Sequence, residues 1–193
     1  MKGKKYELIT LGGSLGGIEA LSMLLQSLPE HFPLPIVVVL HRLRNVKSSL
    51  VDLLATKAKI TVKEADEKEP IKPGVMYIAP ANYHLLIEKD KTLSLCISEL
   101  VNYSRPSIDV TFQSAADVYK DKLIGILLTG ANEDGAEGLQ YMAEQGGLTI
   151  VQEPSEAQSP VMPLGALKRF KPEYILDIEG IKKFLLELDS YAR

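Results

Sequence analysis

Three residues of this 193-residue chain have the side chains that nucleophilic acyl chemistry needs: Ser14, His41 and Asp134. Ser14 stands in Gly12-x-Ser14-x-Gly16, which fits the nucleophile-elbow pattern of a sharp strand-to-helix turn. The bend pushes a hydroxyl out of the end of a sheet and aims the next backbone N–H groups at whatever that hydroxyl attacks. In such a set the imidazole takes the hydroxyl proton, while the carboxylate fixes the imidazole tautomer and stabilises its cation. Other uses of a glycine-rich turn fail here. A dinucleotide fingerprint needs glycine where Ser14 stands, and a P-loop needs Lys-Ser/Thr where Gly17 is followed by Ile18. Each residue also has an ordinary structural reading: Ser14 or Asp134 as a helix cap, His41 as a strand-end side chain.

The elements around these residues decide whether they can meet. The apolar run Tyr6 to Leu11 predicts a strand before Ser14, and Ile18, Leu21, Leu24, Leu25 and Leu28 recur at helical spacing after it. Ile36 to Leu40 is a continuous apolar run, as expected of a strand buried on both faces, and His41 ends it. Leu123 to Leu128 reads the same way, with Asp134 in the loop that follows. Strands are further predicted at Ile60 to Lys63, Val75 to Ala79 and Leu148 to Val151. Helices are predicted over Val46 to Lys57, Ser107 to Tyr119, Ala136 to Glu144, Leu164 to Arg169 and Ile181 to Tyr191. His84 to Ile87 and Thr92 to Ile97 flank the turn Glu88-Lys89-Asp90-Lys91 and read as an antiparallel hairpin. The expected fold is therefore α/β: a three-layer, doubly wound, mostly parallel sheet with the hairpin at one edge, in a single domain over residues 1–193. Ligands of such folds sit beyond the carboxyl ends of the strands, where all three residues fall.

Composition narrows the function classes. A net charge of −3 provides no basic field and argues against nucleic acid as a partner. The single cysteine, Cys96, fits a reducing compartment and a small strand residue. No apolar run reaches membrane-spanning length, and no secretory signal opens the chain, so the expected location is cytoplasmic. No cluster of metal-ligand spacing occurs, and neither metal nor cofactor is expected.

Ordered blocks along most of the chain resemble the catalytic domain of the chemotaxis protein-glutamate methylesterases (CheB). They are Gly13-Ser14-Leu15-Gly16-Gly17, the Val37 to His41 strand end, Pro73 to Pro80, His84-Leu85, Arg105-Pro106-Ser107-Ile108-Asp109, Leu128 to Ala136, and Met162-Pro163. The resemblance runs from about Glu7 to Leu176 and implies Ser14, His41 and Asp134 as the catalytic triad. It also implies the substrate, γ-glutamyl methyl esters on the cytoplasmic helices of methyl-accepting chemoreceptors, with glutamine deamidation as a related activity. The N–H groups of Leu15 and Ala131 are the candidate oxyanion donors, where losing one donor costs about 3 kcal/mol of barrier. Arg105 and His84 are candidate substrate-binding residues, each with a structural alternative.

Departures from the family fall at the rim. Leu15 stands where threonine is usual after the nucleophile, Ala131 where methionine is usual, and Arg42 where methionine is common. The loop Ser155 to Pro160 lacks the usual aromatic and apolar residues. Family members usually carry an N-terminal receiver domain, and Ser14 lies too near Met1 for one in this sequence. The expectation is control by a separate receiver domain or none if the sequence is whole, and a receiver domain cut away if it is part of a longer protein. Two alternatives stay open: a regulatory or scaffold module of the same fold, and an esterase for a different substrate.

Overall fold

The computed structural model describes residues 5–41 and 50–192, with side chains described through Leu188. Seven strands form one parallel sheet: β1 (Leu8–Gly13), β2 (Ile36–Leu40), β3 (Thr61–Glu64), β4 (Val75–Ile78), β7 (Leu123–Leu127), β8 (Leu148–Gln152) and β9 (Tyr174–Leu176). Their order is β3-β4-β2-β1-β7-β8-β9, with β1 at the centre. Strand alternation divides the apolar side chains into two cores. Ile9, Leu11, Val38, Leu40, Ile124 and Ile126 face one, while Leu8, Val37, Val39, Leu123 and Leu127 face the other.

The first core is closed by α1 (Gly17–Ser27), α2 (Leu50–Ala55) and α6 (Ile178–Ala192); the Ile181, Phe184, Leu185 and Leu188 stripe of α6 is buried there. The second is closed by α3 (Ile108–Tyr119), α4 (Ala136–Glu144) and α5 (Val161–Arg169). The chain leaves β1 along one face to pair with β2 and comes back along the other to pair with β7. The switch point is thus at β1, and a crevice is expected outside the carboxyl ends of β2, β1 and β7.

The fold class matches the sequence-based expectation, with one correction. Strands β5 (His84–Ile87) and β6 (Leu93–Cys96) pair with each other as a separate two-stranded sheet, instead of joining an edge of the main sheet. The reason is apolar burial: Leu85, Ile87 and Leu93 insert into the second core beside α3, so the hairpin acts as a cover on that face. Helix α5 starts at Val161, three residues before its predicted start, because Pro163 falls in the first helical turn, where a missing N–H costs nothing. Arg42 and the first residues of the helix predicted over Val46 to Lys57 lie outside the described residues.

Candidate active site

Ser14 follows the last residue of β1 and is half-buried. It does not cap α1. The N-cap is Gly16, at φ 81°, with no side-chain cap, so the Ser14 hydroxyl is not consumed by the helix. The Ser14 N–H donates to the Thr129 carbonyl at 2.9 Å, and the Ser14 carbonyl accepts from Gly17 N–H at 2.8 Å, which fixes the turn at both ends. His41 N–H donates to the Gly13 carbonyl at 3.2 Å, setting the end of β2 beside that turn.

Asp134 does not cap its own helix either; Gly135, at φ 94°, is the N-cap of α4. The Asp134 side chain is fully buried and Oδ2 lies 2.7 Å from Nε2 of His41, across 93 residues of sequence. Asn102 Nδ2 reaches Oδ1 at 3.4 Å, and the carboxylate's remaining donors come from the start of α3. Ile108 N–H reaches Oδ2 at 2.7 Å, the Ser107 hydroxyl reaches Oδ1 at 2.8 Å, and Asp109 N–H reaches Oδ1 at 3.2 Å. Burial pushes the Asp134 carboxyl up, but the hydrogen bonds from His41, Ile108 and Ser107, together with the imidazole charge, outweigh it and hold it below its ordinary value. The positive end of the α3 dipole points at the same carboxylate.

With Nε2–H committed to Asp134, the His41 nitrogen left to act as a base is Nδ1. The Asn132 amide lies 3.4 Å from it and its Oδ1 accepts from Asp134 N–H, so Asn132 braces both partners. The Ser14 hydroxyl forms no hydrogen bond to the ring in this structure; catalytic contacts are commonly looser before substrate arrives. No hydrogen bond among the described residues engages the N–H of Leu15 or of Ala131, and both residues are exposed.

The two substrate-binding candidates are placed differently from the expectation. His84 is fully buried: Nδ1 accepts from Ser107 N–H at 3.2 Å, and Nε2 donates to the Glu99 carbonyl at 2.9 Å. It offers nothing to a substrate and instead holds the residue that binds Asp134. Arg105 spends its guanidinium on the chain, donating to the carbonyls of Ile97 and Ser98 and, through Nε and an Nη, to Oδ1 of Asn82. It ties the loop after β6 to the loop before β5.

Several partners escaped the sequence reading: Ser107, Asn102, Asn132 and Asp109. Ser107, predicted as the first residue of α3, is its N-cap, and nothing in the sequence marks it as a donor to a carboxylate from another helix's loop. Asp109 is buried beside Asp134 and accepts from Gly138 N–H at 2.7 Å and from Asn102 Nδ2 at 2.8 Å. Burial, reinforced by the charge of Asp134, pushes its pKa up to about 7.

An α/β sheet that carries Ser14, His41 and Asp134 on one edge is the arrangement expected of a serine hydrolase of the α/β class. The CheB methylesterase family profile matches residues 9–185. A Leptospira interrogans protein provisionally named protein-glutamate methylesterase/protein-glutamine glutaminase is 50% identical over 185 residues, covering 96% of each chain. The protein-glutamate methylesterase/protein-glutamine glutaminase of Thermotoga maritima is 35% identical over 185 residues, but the match spans only 54% of that longer protein. The crystal structure of the Thermotoga maritima CheB methylesterase catalytic domain superposes with a TM-score of 0.90, covering 95% of this chain and 99% of that one. The chain belongs to the CheB methylesterase family.

Proposed function

We propose that this chain is a single catalytic domain that hydrolyses γ-glutamyl methyl esters on chemoreceptor cytoplasmic helices, and deamidates glutamine at such sites, through Ser14, His41 and Asp134. The observation that carries the proposal is the 2.7 Å pair of His41 and buried Asp134, set beside the turn that presents Ser14. Nδ1 of His41 takes the Ser14 proton as Oγ attacks the ester carbonyl. The Leu15 and Ala131 N–H groups, left without partners among the described residues, receive the oxyanion. His41 passes the proton to the departing methoxide, which leaves as methanol. Water, deprotonated by the same nitrogen, attacks the acyl-enzyme, and its proton returns to Ser14 as the glutamate leaves. This reading places the protein in the cytoplasm; among the described residues no helix is long and apolar enough to cross a membrane.

Ser14→Ala tests it. Methanol release from methylated receptor should fall to background while the circular dichroism spectrum is kept; undiminished release would remove Ser14 from the chemistry. The unbonded Ser14 hydroxyl favours one second reading, a scaffold module that binds without turnover. Covalent labelling of Ser14 by a fluorophosphonate decides against that module, and absence of labelling decides for it.

A further inference from the structure

Thr129 belongs to none of the groups assigned above, yet every polar atom it has is committed. It is buried to 2% exposure, two residues past the end of β7. Its carbonyl accepts from Ser14 N–H at 2.9 Å, and its N–H donates to Oε1 of the equally buried Gln152 at 2.8 Å. Its hydroxyl accepts from Ser159 N–H at 2.8 Å. The proton of that hydroxyl is shared between two carbonyls, Leu15 at 2.9 Å and Ser159 at 3.1 Å. One side chain therefore bridges the turn that carries Ser14 and the loop over residues 153–160. Two further contacts tighten the joint. Gln158 packs on Gly16, so close that a Cβ there would lie 2.6 Å from its Oε1, and Gly130 N–H donates to the Ser159 carbonyl at 3.1 Å. Ala131 is the next residue along.

We propose that Thr129 is a positioning residue: its hydroxyl locks the nucleophile turn to the 153–160 loop and so sets the separation of the Leu15 and Ala131 N–H groups. The catalytic part of this rests on the esterase reading above; the mechanical part does not. A hydroxyl is needed because it alone can accept from one strand of the joint and donate to the other. A valine of the same shape leaves the Ser159 N–H and the Leu15 carbonyl unpaired. Since those donors act on charge that develops only in the transition state, their displacement lowers kcat and leaves KM alone.

The test compares Thr129→Val, Thr129→Ala and Thr129→Ser with the wild type by amide hydrogen exchange and by methyl-ester turnover. In T129V and T129A, exchange should accelerate together in residues 14–17 and 153–160, with the β1 and β7 cores unchanged. T129S, which keeps the hydroxyl, should stay near wild type. In the same two variants kcat should fall about tenfold, as for one hydrogen bond lost at a preorganised site, with KM within about twofold. Protection in T129V equal to wild type overturns the lock, as does acceleration of the same size in T129S, which would assign the effect to packing. Unchanged kcat in T129V alongside faster exchange overturns its catalytic part. Wild-type protein silent toward both ester and fluorophosphonate is the failure of the esterase reading, and the exchange pattern still judges the lock.

Discussion

The N–H of Ile108 donates to Oδ2 of Asp134 at 2.7 Å, the same oxygen that pairs with Nε2 of His41 at 2.7 Å. A buried carboxylate beside an imidazole is thereby held ionised by the first turn of a helix that belongs to neither residue. The oriented N–H groups of α3 supply fixed positive potential without a counter-ion, an arrangement worth about 0.3–1 kcal/mol at a surface and up to about 2 kcal/mol when partly buried. It also explains why His84, buried and remote from solvent, faces Ser107: fixing the helix start fixes the carboxylate.

Ser107→Ala removes two things at once, the donor to Asp134 Oδ1 and the cap that accepts from Val110 N–H. Loss of the cap alone costs about 1 kcal/mol. Leaving Asp134 short of a donor also loosens its hold on the His41 tautomer. Urea unfolding should show that destabilisation, and ester turnover should drop about tenfold beyond any unfolded fraction, since about 1.4 kcal/mol of barrier is a factor of ten. A stability loss with turnover intact would show that Asp134 does not need the hydroxyl.

Asp109 should make stability fall as pH rises. Its folded pKa is raised to about 7 by burial and by the Asp134 charge, against about 4 in an unfolded chain. Between those values the folded state binds the extra proton. Its contribution is complete below about pH 4, is lost progressively as pH rises to about 7, and stays flat above. Asp109→Asn keeps a neutral group there at every pH. Asp134, His41, His84 and Glu137 surround the site in both proteins, so the difference between the two thermal-midpoint curves isolates Asp109. Wild type should lose ground to D109N from about pH 4 to 7; parallel curves would contradict the shift.

Much of this site was readable from residues in a row. The continuous apolar runs Ile36 to Leu40 and Leu123 to Leu128, with a glycine turn at Ser14, are enough to put Ser14, His41 and Asp134 on one edge of a parallel sheet. What could not be read was which side chains face each other across the crevice. His84 and Arg105 sit in blocks shared with the family, and a block does not say whether its polar residue points at a substrate or at the backbone. Both proved to be spent on carbonyls and N–H groups of nearby loops. The hairpin was legible as a hairpin, but its place was not. Alternation along β5 and β6 marks a buried face without naming the surface that buries it, and here that surface is α3 rather than β3 or β9.

Glu7 is expected to carry part of the acid limb of stability. Its carboxyl bonds Lys91 and Lys122 at 2.6 Å each, tying the start of β1 to the hairpin and to the residue before β7. Those hydrogen bonds, Lys122 foremost, lower its pKa to about 2. A lowered carboxylate contributes stability above its unfolded value, about 4.3, which is lost as pH falls through about 2. Both lysines are about half exposed, so screening keeps the contribution to about 1 kcal/mol or less. Glu7→Gln should therefore lie slightly below wild type at pH 7 and converge with it toward pH 2. The gap should also close in 1 M salt at neutral pH, where the screening length is about 3 Å. A gap indifferent to both would assign the loss to packing.

Gly16→Ala strikes the nucleophile turn directly. The backbone at φ 81° disfavours any L side chain by about 1–2 kcal/mol. The added Cβ also meets Oε1 of Gln158 at 2.6 Å, Cβ of Gln158 at 2.7 Å and Cγ2 of Thr129 at 3.0 Å. The flexible amide end can swing away, whereas the Cβ of Gln158 can move only with its loop. The substitution should therefore lower stability by more than the φ penalty and push the 153–160 loop off the turn. Trimming Gln158 separates the two effects. In G16A/Q158G the clash with the side chain is gone and the backbone strain remains, so the double variant should recover fluorophosphonate labelling at Ser14 while regaining only part of the melting temperature. If labelling stays as low as in G16A, displacement of the loop is not what disables the turn, and the left-handed conformation at Gly16 is itself what presents the hydroxyl.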